Sequence, residues 1–230
     1  MKAMKISIHQ PQYIPWLPYF LKISNSDCFI FLDSVDFQKN GVQNRNEIKT
    51  AQGRHWLTIP VSQNLGQKIK DTEINNNLNW KKKHWQSLKN CYGKSEFFSD
   101  YEPYLESFYK KDWINLCDLN IELTRMMMDW LDIDVPTYKS SDMKSSGSGS
   151  DLILNLCKNN GATKYISGIG GKNYLNIQSF KSAGIEIDFL ENKLPISYPQ
   201  LFPKINFFND LSAIDIIFNC GSEWKERVNF

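Results

Sequence analysis

Met4-Lys-Ile-Ser-Ile-His-Gln-Pro-Gln-Tyr-Ile-Pro-Trp-Leu-Pro-Tyr-Phe-Leu-Lys-Ile-Ser-Asn-Ser-Asp-Cys-Phe-Ile-Phe-Leu-Asp33 is the stretch that decides the fold. Ile6 and Ile8 alternate with polar positions and lead to His9, which reads as a buried strand over 4–9. Pro11, Pro15 and Pro18 each remove a backbone donor, so the segment after His9 is a stiff loop rather than an element interior. A short helix over 15–24 tolerates its prolines in the first turn. Cys28-Phe-Ile-Phe-Leu-Asp33 is an almost continuous apolar run, as in a strand covered on both faces. Strand, loop, helix and strand make a βαβ-like opening, so the first two strands are expected to be parallel.

Working outward, 34–54 reads as a loop rich in Asn and Gln, and 56–61 as a strand. A strand over 68–74 is joined to it by the turn Asn64-Leu-Gly66. The middle of the chain is helical. Asn79 can cap a helix through Trp80, Trp85, Leu88 and Tyr92, and a second covers 101–109. A third, over 113–131, carries Leu116, Leu119, Leu123, Met126, Met127 and Trp130 at three- and four-residue steps. The Ser/Gly-rich segment 140–150 reads as a linker or mobile loop. Asp151 can cap a helix that Asn160-Gly161 ends. Strands over 163–167 and 185–190 flank the turn Ser167-Gly-Ile-Gly-Gly171, and a last helix through Ile214, Ile217 and Phe218 stops at Cys220-Gly221. The expected fold is α/β: a mainly parallel sheet flanked by helices, with a helical insertion in the middle of the chain. The expected organisation is one domain over 1–221, with the insertion at about 79–139, the Ser/Gly loop at 140–150, and a frayed tail over 222–230.

Composition narrows the function. The chain has 230 residues, 41% hydrophobic and 13% aromatic, enough for a sizeable core. A formal net charge of +2 makes no case for an extended nucleic-acid surface. The five cysteines lack a CxxC pair and read as reduced core residues of a cytosolic protein. His55 and His84 have no acid or cysteine at metal-ligand spacing, so no metal site is expected. No signal peptide and no run approaching the ~18 apolar residues of a membrane span are visible. A cytoplasmic protein is the simplest expectation.

Five clusters could carry chemistry. His9 ends a strand and opens a loop, where open α/β sheets bind ligands, and an imidazole can act as a general base near neutral pH. It could equally hold its own loop. Gln10, Gln12, Tyr13 and Trp16 surround it in sequence, and Asp33 ends the neighbouring strand, placed to orient His9 or to meet a hydroxyl or ammonium group. Asn44-Arg-Asn-Glu-Ile-Lys49 combines the amides of Asn44 and Asn46 with the cations Arg45 and Lys49. Arginine there suits a phosphate or carboxylate. In the glycine turn, Ser167, Gly168, Gly170 and Gly171 allow close backbone approach to a ligand, and Tyr174 could stack on a base or sugar. Tyr198, Gln200 and Asp215 are polar punctuation in apolar surroundings. The run Trp80-Lys-Lys-Lys-His-Trp85 reads as packed tryptophans with solvated lysines.

Taken together these stretches resemble the WbqC-like family of bacterial proteins found with polysaccharide (O-antigen) biosynthesis. The matching residues are His9-Gln-Pro-Gln-Tyr-Ile-Pro-Trp16 with Tyr19-Phe20, Phe31-Leu-Asp33, Asn44-Arg-Asn46 with Ile48-Lys49, and Trp56-Leu-Thr-Ile-Pro-Val61. Tyr165-Ile-Ser-Gly168, Gly170-Gly171, Tyr174-Leu175, Tyr198-Pro-Gln200, Leu211-Ser212 and Ile214-Asp215 extend the match over nearly the whole chain. Pro18 departs from the glycine expected in the family's PWxGYF pattern.

The resemblance implies a transferase that N-acylates or N-aminoacylates, for example with glycine, the amino group of a nucleotide-linked amino-deoxy sugar. In that reading His9 is the base and Asp33 its orienter or the amine's partner. Gln10, Gln12 or Asn44 face the carbonyl, and Arg45 and Lys49 hold phosphates. Tyr13, Trp16, Asn46, Ser167, Gly168, Gly170, Gly171, Tyr174, Tyr198, Gln200 and Asp215 complete the substrate contacts. No cofactor is tightly bound. An acyl or aminoacyl thioester of CoA or of a carrier protein is the co-substrate, no nucleic acid is involved, and the Trp-rich helical middle could hold a homodimer interface. The opening strand, His loop and helix also resemble HIGH-type nucleotidyltransferases, although the second histidine of that signature is absent. A non-catalytic nucleotide-sugar or glycan-binding protein is a further alternative.

Overall fold

A computed structural model of the chain describes residues 3–62, 64–191 and 196–227. In chain order the strands are β1 (Lys5–His9), β2 (Cys28–Phe31), β3 (Arg45–Thr50), β4 (Gly53–Thr58), β5 (Val61–Ser62), β6 (Glu73–Ile74), β7 (Thr137–Lys139), β8 (Lys164–Gly168) and β9 (Glu186–Leu190). The helices are α1 (Leu17–Ser24), α2 (Trp80–Tyr92), α3 (Phe98–Lys110), α4 (Leu116–Trp130), α5 (Gly149–Asn159), α6 (Ile177–Ser182), α7 (Ile214–Cys220) and α8 (Trp224–Arg227). The chain divides into two compact units. The first comprises Met1–Gln10, Pro18–Val35 and Ile133–Lys193; the second comprises Pro11–Leu17, Asp36–Asp132 and Leu194–Phe230.

The first unit is built on a five-stranded sheet in the order β7-β2-β1-β8-β9, every pair parallel. Strand alternation sorts its side chains. Ile6 and Ile8 of β1 and Cys28 and Ile30 of β2 pack with Leu152, Ile153, Leu156 and Cys157 of α5 and with Phe180 of α6. The alternate residues face α1: Phe29 meets Tyr19 edge-on, and the Ser7 hydroxyl bonds that of Ser26 at 2.8 Å. His9, two residues beyond Ser7, therefore lies on the α1 side. Both faces are covered, which is why β2 reads as an unbroken apolar run. Cys28 and Cys157 sit in this core as free thiols, raised by burial to about 11 and about 12.

In the Ser/Gly segment, Ser140–Asp142 forms a 3-10 turn with Ser140 buried. The carbonyls of Lys144 and Ser146 accept bonds from Asn159 and Asn155.

The second unit carries two short antiparallel ladders, β3–β4 and β5–β6, with α2, α3, α4, α7 and α8. Its core is aromatic: Trp85 stacks on Phe98 and Tyr109, and Phe218 of α7 meets Tyr92 and Phe98 edge-on. In the Trp80–Trp85 run, Trp80 and His84 are buried while Lys82 and Lys83 are exposed.

Five expectations need correction. The loop read over 34–54 contains the hairpin β3–β4, turned at Gly53 with φ +110°. The hairpin was hidden because β3 points Asn46 and Lys49 inward beside Ile48, so the apolar alternation is missing. The strand over 56–61 is split after Thr58, since Pro60 has no N–H for a ladder, and the one over 68–74 shortens to Glu73–Ile74 behind a 3-10 turn at Ile69–Asp71. Asn79 precedes α2 but makes no side-chain cap bond, whereas Asn115 and Asn176 do cap α4 and α6. The end of the chain was expected to fray from 222, yet Trp224 is buried and its indole N–H bonds the Leu131 carbonyl at 3.2 Å. Residues 228–230 lie outside the described residues.

Candidate functional site

The strand order of the first unit has a consequence for ligands. The chain leaves β1 toward β2 on one side and later adds β8 on the other. Open α/β sheets bind ligands at such a reversal, outside the carboxyl ends of the two strands. Here the ladder itself opens. β1 pairs with β2 as far as His9↔Phe31, but with β8 only as far as Ser7↔Ile166.

His9 stands at the end of β1, half-buried, with the ring of Tyr19 edge-on at 5.1 Å. Burial holds its pKa well below the ordinary imidazole value, and the charge of Lys22 pushes it further down, against a hydrogen bond with the Gln10 backbone. The ring is therefore neutral at physiological pH. The Gln10 carbonyl accepts a bond from the Tyr19 hydroxyl at 3.3 Å.

Lys22 was not singled out from the sequence. It is 4% exposed, and its Nζ donates to the Ile8 carbonyl at 2.8 Å. Burial lowers this amine to about 7. Its one local signal is position: Lys22 lies three residues after Tyr19, on the helix face that turns inward.

Asp33, just beyond β2, is fully buried. Its Oδ1 accepts from the Ser140 hydroxyl at 2.8 Å and the Ser141 backbone at 2.9 Å, and its Oδ2 from the Ser141 hydroxyl at 2.6 Å. After β8, the Ser167 hydroxyl donates to the Gly168 carbonyl at 3.0 Å. A Cβ on Gly171 would fall 2.2 Å from Ser167 Oγ and 2.9 Å from Leu175 Cδ1, so packing alone demands glycine there. Gly170 would meet nothing within 4 Å, and Tyr174 is 54% exposed. Thus His9, Gln10, Asp33, Ser167, Gly168, Gly170, Gly171 and Tyr174 belong to the first unit.

The remaining expected residues belong to the second unit. Four of them, Lys49, Tyr198, Gln200 and Asp215, form one hydrogen-bonded group together with Tyr92, which sequence reading treated as core. Asp215 Oδ1 accepts from the Tyr92 hydroxyl at 2.9 Å, and Oδ2 accepts from Tyr198 and Gln200 at 2.8 Å each. Lys49 Nζ donates to Gln200 Oε1 at 3.1 Å and to the Ile205 carbonyl at 3.5 Å, while its backbone N–H donates to the Tyr92 hydroxyl at 3.0 Å. Burial raises Asp215 to about 6, opposed by these donors and by the Lys49 charge.

The other residues are dispersed. The Tyr13 hydroxyl is bonded to Tyr109 at 2.6 Å and to His84 at 2.8 Å, and burial pulls His84 down to about 4. Gln12 is buried, and Trp16 bridges to Ser212. Asn44 and Asn46 donate to the Ile59 and Ile14 carbonyls, each at 2.8 Å. Arg45 lies 4.4 Å over the Trp56 ring. Among the described residues, no group of three or more His, Cys, Asp or Glu could hold a metal, and no helix is long and apolar enough to cross a membrane.

Comparison with known proteins agrees over almost the whole length. A family profile described as the WbqC-like protein family matches residues 10–227. The chain is similar to a Mycobacterium tuberculosis protein (strain ATCC 25618 / H37Rv) named "Uncharacterized protein Rv1507c". The two are 32% identical over 229 residues, covering 98% of each chain. No solved structure matches.

Proposed function

The chain belongs to the WbqC-like family, and from that premise we propose that it is a transferase acting in bacterial surface-polysaccharide biosynthesis. The reaction is N-acylation or N-aminoacylation of the amino group of a nucleotide-linked amino-deoxy sugar, with a CoA or carrier-protein thioester as donor. The family supports the polysaccharide setting. The neutral imidazole of His9, at the open end of the β1–β8 ladder, is the observation that supports the chemistry.

The step needs little from the protein. The sugar amine attacks the thioester carbonyl as its free base, and His9 takes the proton that the new C–N bond makes acidic. The C–N bond forms, the C–S bond breaks, and the thiolate leaves to be protonated. Gln10 adjoins the base and can position the carbonyl, and holding both substrates in line supplies much of the rate. Asp33 orders the adjoining strand ends through Ser140 and Ser141.

Purified protein mixed with a nucleotide-linked 4-amino sugar and an acyl or glycyl thioester should release thiol and yield the amide, read by mass spectrometry. His9→Ala should lower turnover by roughly 10²–10⁴-fold with sugar-nucleotide binding retained. A variant that turns over at the wild-type rate would remove His9 as the base. Binding without turnover in the wild type would favour a binding protein, and pyrophosphate release from ATP a nucleotidyltransferase.

A further inference from the structure

A lysine taken out of water ordinarily meets a carboxylate, because an unpaired buried charge is costly. Lys22 meets none among the described residues: its single protein bond is to the Ile8 carbonyl. An ammonium carries three donors, so two are left over.

The strand geometry locates those donors. The His9 carbonyl accepts from Leu32 N at 2.8 Å on the β2 side. Successive carbonyls of a strand point to opposite edges, so the Ile8 carbonyl is turned toward β8. Pairing with β8 has already stopped at Ser7↔Ile166. Lys22 Nζ thus occupies the edge of β1 at the place where the ladder opens, beside His9. The other groups facing this position do not pair with it. β2 presents Phe29 and Phe31, α1 presents Tyr19, and the Asp33 carboxylate bonds Ser140 and Ser141 instead of Lys22, on which burial alone acts. His9 on β1 is the titratable group coupled to Lys22, and it is neutral.

We propose that Lys22 is an anion-seating residue: its ammonium receives a phosphate oxygen of a nucleoside-diphosphate ligand in the opening between β1 and β8. A phosphate suits the place because the turn after β8 leaves Gly170 open for close backbone approach. The inference rests on the nucleotide-sugar reading above and adds the residue that holds the diphosphate. It also carries a signature that a structural lysine lacks. The free amine titrates near neutrality, so seating an anion draws a proton onto it.

The test is isothermal titration of the full-length protein with inorganic pyrophosphate and with UDP, in two buffers of different ionisation heat. Binding to the wild type should take up close to one proton at about pH 8, and affinity should fall by up to about tenfold per pH unit above neutrality. Lys22→Met should bind at least about tenfold more weakly and without the proton uptake. Lys22→Arg should bind without proton uptake, because guanidinium is always charged, and it carries the test if the methionine variant fails to fold. Wild-type affinity and proton uptake in K22M, or proton uptake persisting in K22R, would overturn the inference. So would the failure of both probes to bind the wild type. Lys22-dependent binding with no acyl transfer would sink the transferase reading alone. Transfer with Lys22-independent binding would sink the anion seat alone.

Discussion

Two buried lysines separate the two units. In the second, Lys49 is 2% exposed, with Gln200 Oε1 and the Ile205 carbonyl as acceptors and the charge of Asp215 nearby. That carboxylate in turn receives Tyr92, Tyr198 and Gln200. In the first, Lys22 is 4% exposed and has one carbonyl. Burial depresses both amines, but only Lys49 has an acid pulling it back up. A buried polar group with several partners and a counter-charge fixes one conformation. A buried charge left unmatched costs stability and marks a place where something else is to bind.

That contrast can be broken experimentally, beginning with its strongest member. Asp215→Ala removes the acceptor of one buried and two half-buried donors and the counter-charge of Lys49, and should cost about 3–5 kcal/mol in urea denaturation. Lys22→Met should act in the opposite direction, adding about 1–4 kcal/mol near pH 7. The sign of its pH dependence comes from the lowered amine. The folded protein gives up the Lys22 proton near pH 7, while the unfolded chain keeps it to about 10.5. Wild-type stability therefore carries the full cost below about pH 7 and recovers as pH rises toward 10.5, and K22M should lack that rise. Equal slopes in the two proteins would mean that Lys22 is not the unmatched charge.

A smaller effect is expected from Ser140→Ala. It removes one of the three bonds to the Asp33 carboxylate and the acceptor of the Asp33 and Ser34 backbone N–H groups, and should cost about 1–3 kcal/mol. The smallest is Asp210→Asn. Its partner Arg54 also holds Glu47, and the pair is 33% and 47% exposed, so a loss under about 1 kcal/mol is expected, shrinking with added salt. A large loss there would show that the second unit depends on its surface pairs as well as on its buried group.

Much of the fold was legible because periodicity survives where burial is apolar. Ile6 and Ile8, the run Cys28–Leu32, and the three-and-four spacing from Leu116 to Trp130 marked β1, β2 and α4. Reading failed where inward positions are polar. Asn46 and Lys49 disguised β3, and Ser140 looked like linker although it is the buried partner of Asp33. The same failure hid Lys22 and Tyr92, whose roles come from partners 14 and 123 residues away.

By itself the sequence determined a parallel α/β sheet opening on His9, the family, and a candidate base at a strand end. Those arise from local pattern and motif, which act over a few residues. Only the tertiary structure decided that β8, rather than a nearer strand, flanks β1. It alone showed that the ladder opens beyond Ser7, and that the charge beside His9 is an uncompensated lysine. Pairing of distant strands and desolvation of a charge depend on what the rest of the chain brings to the same place, and no local pattern records that.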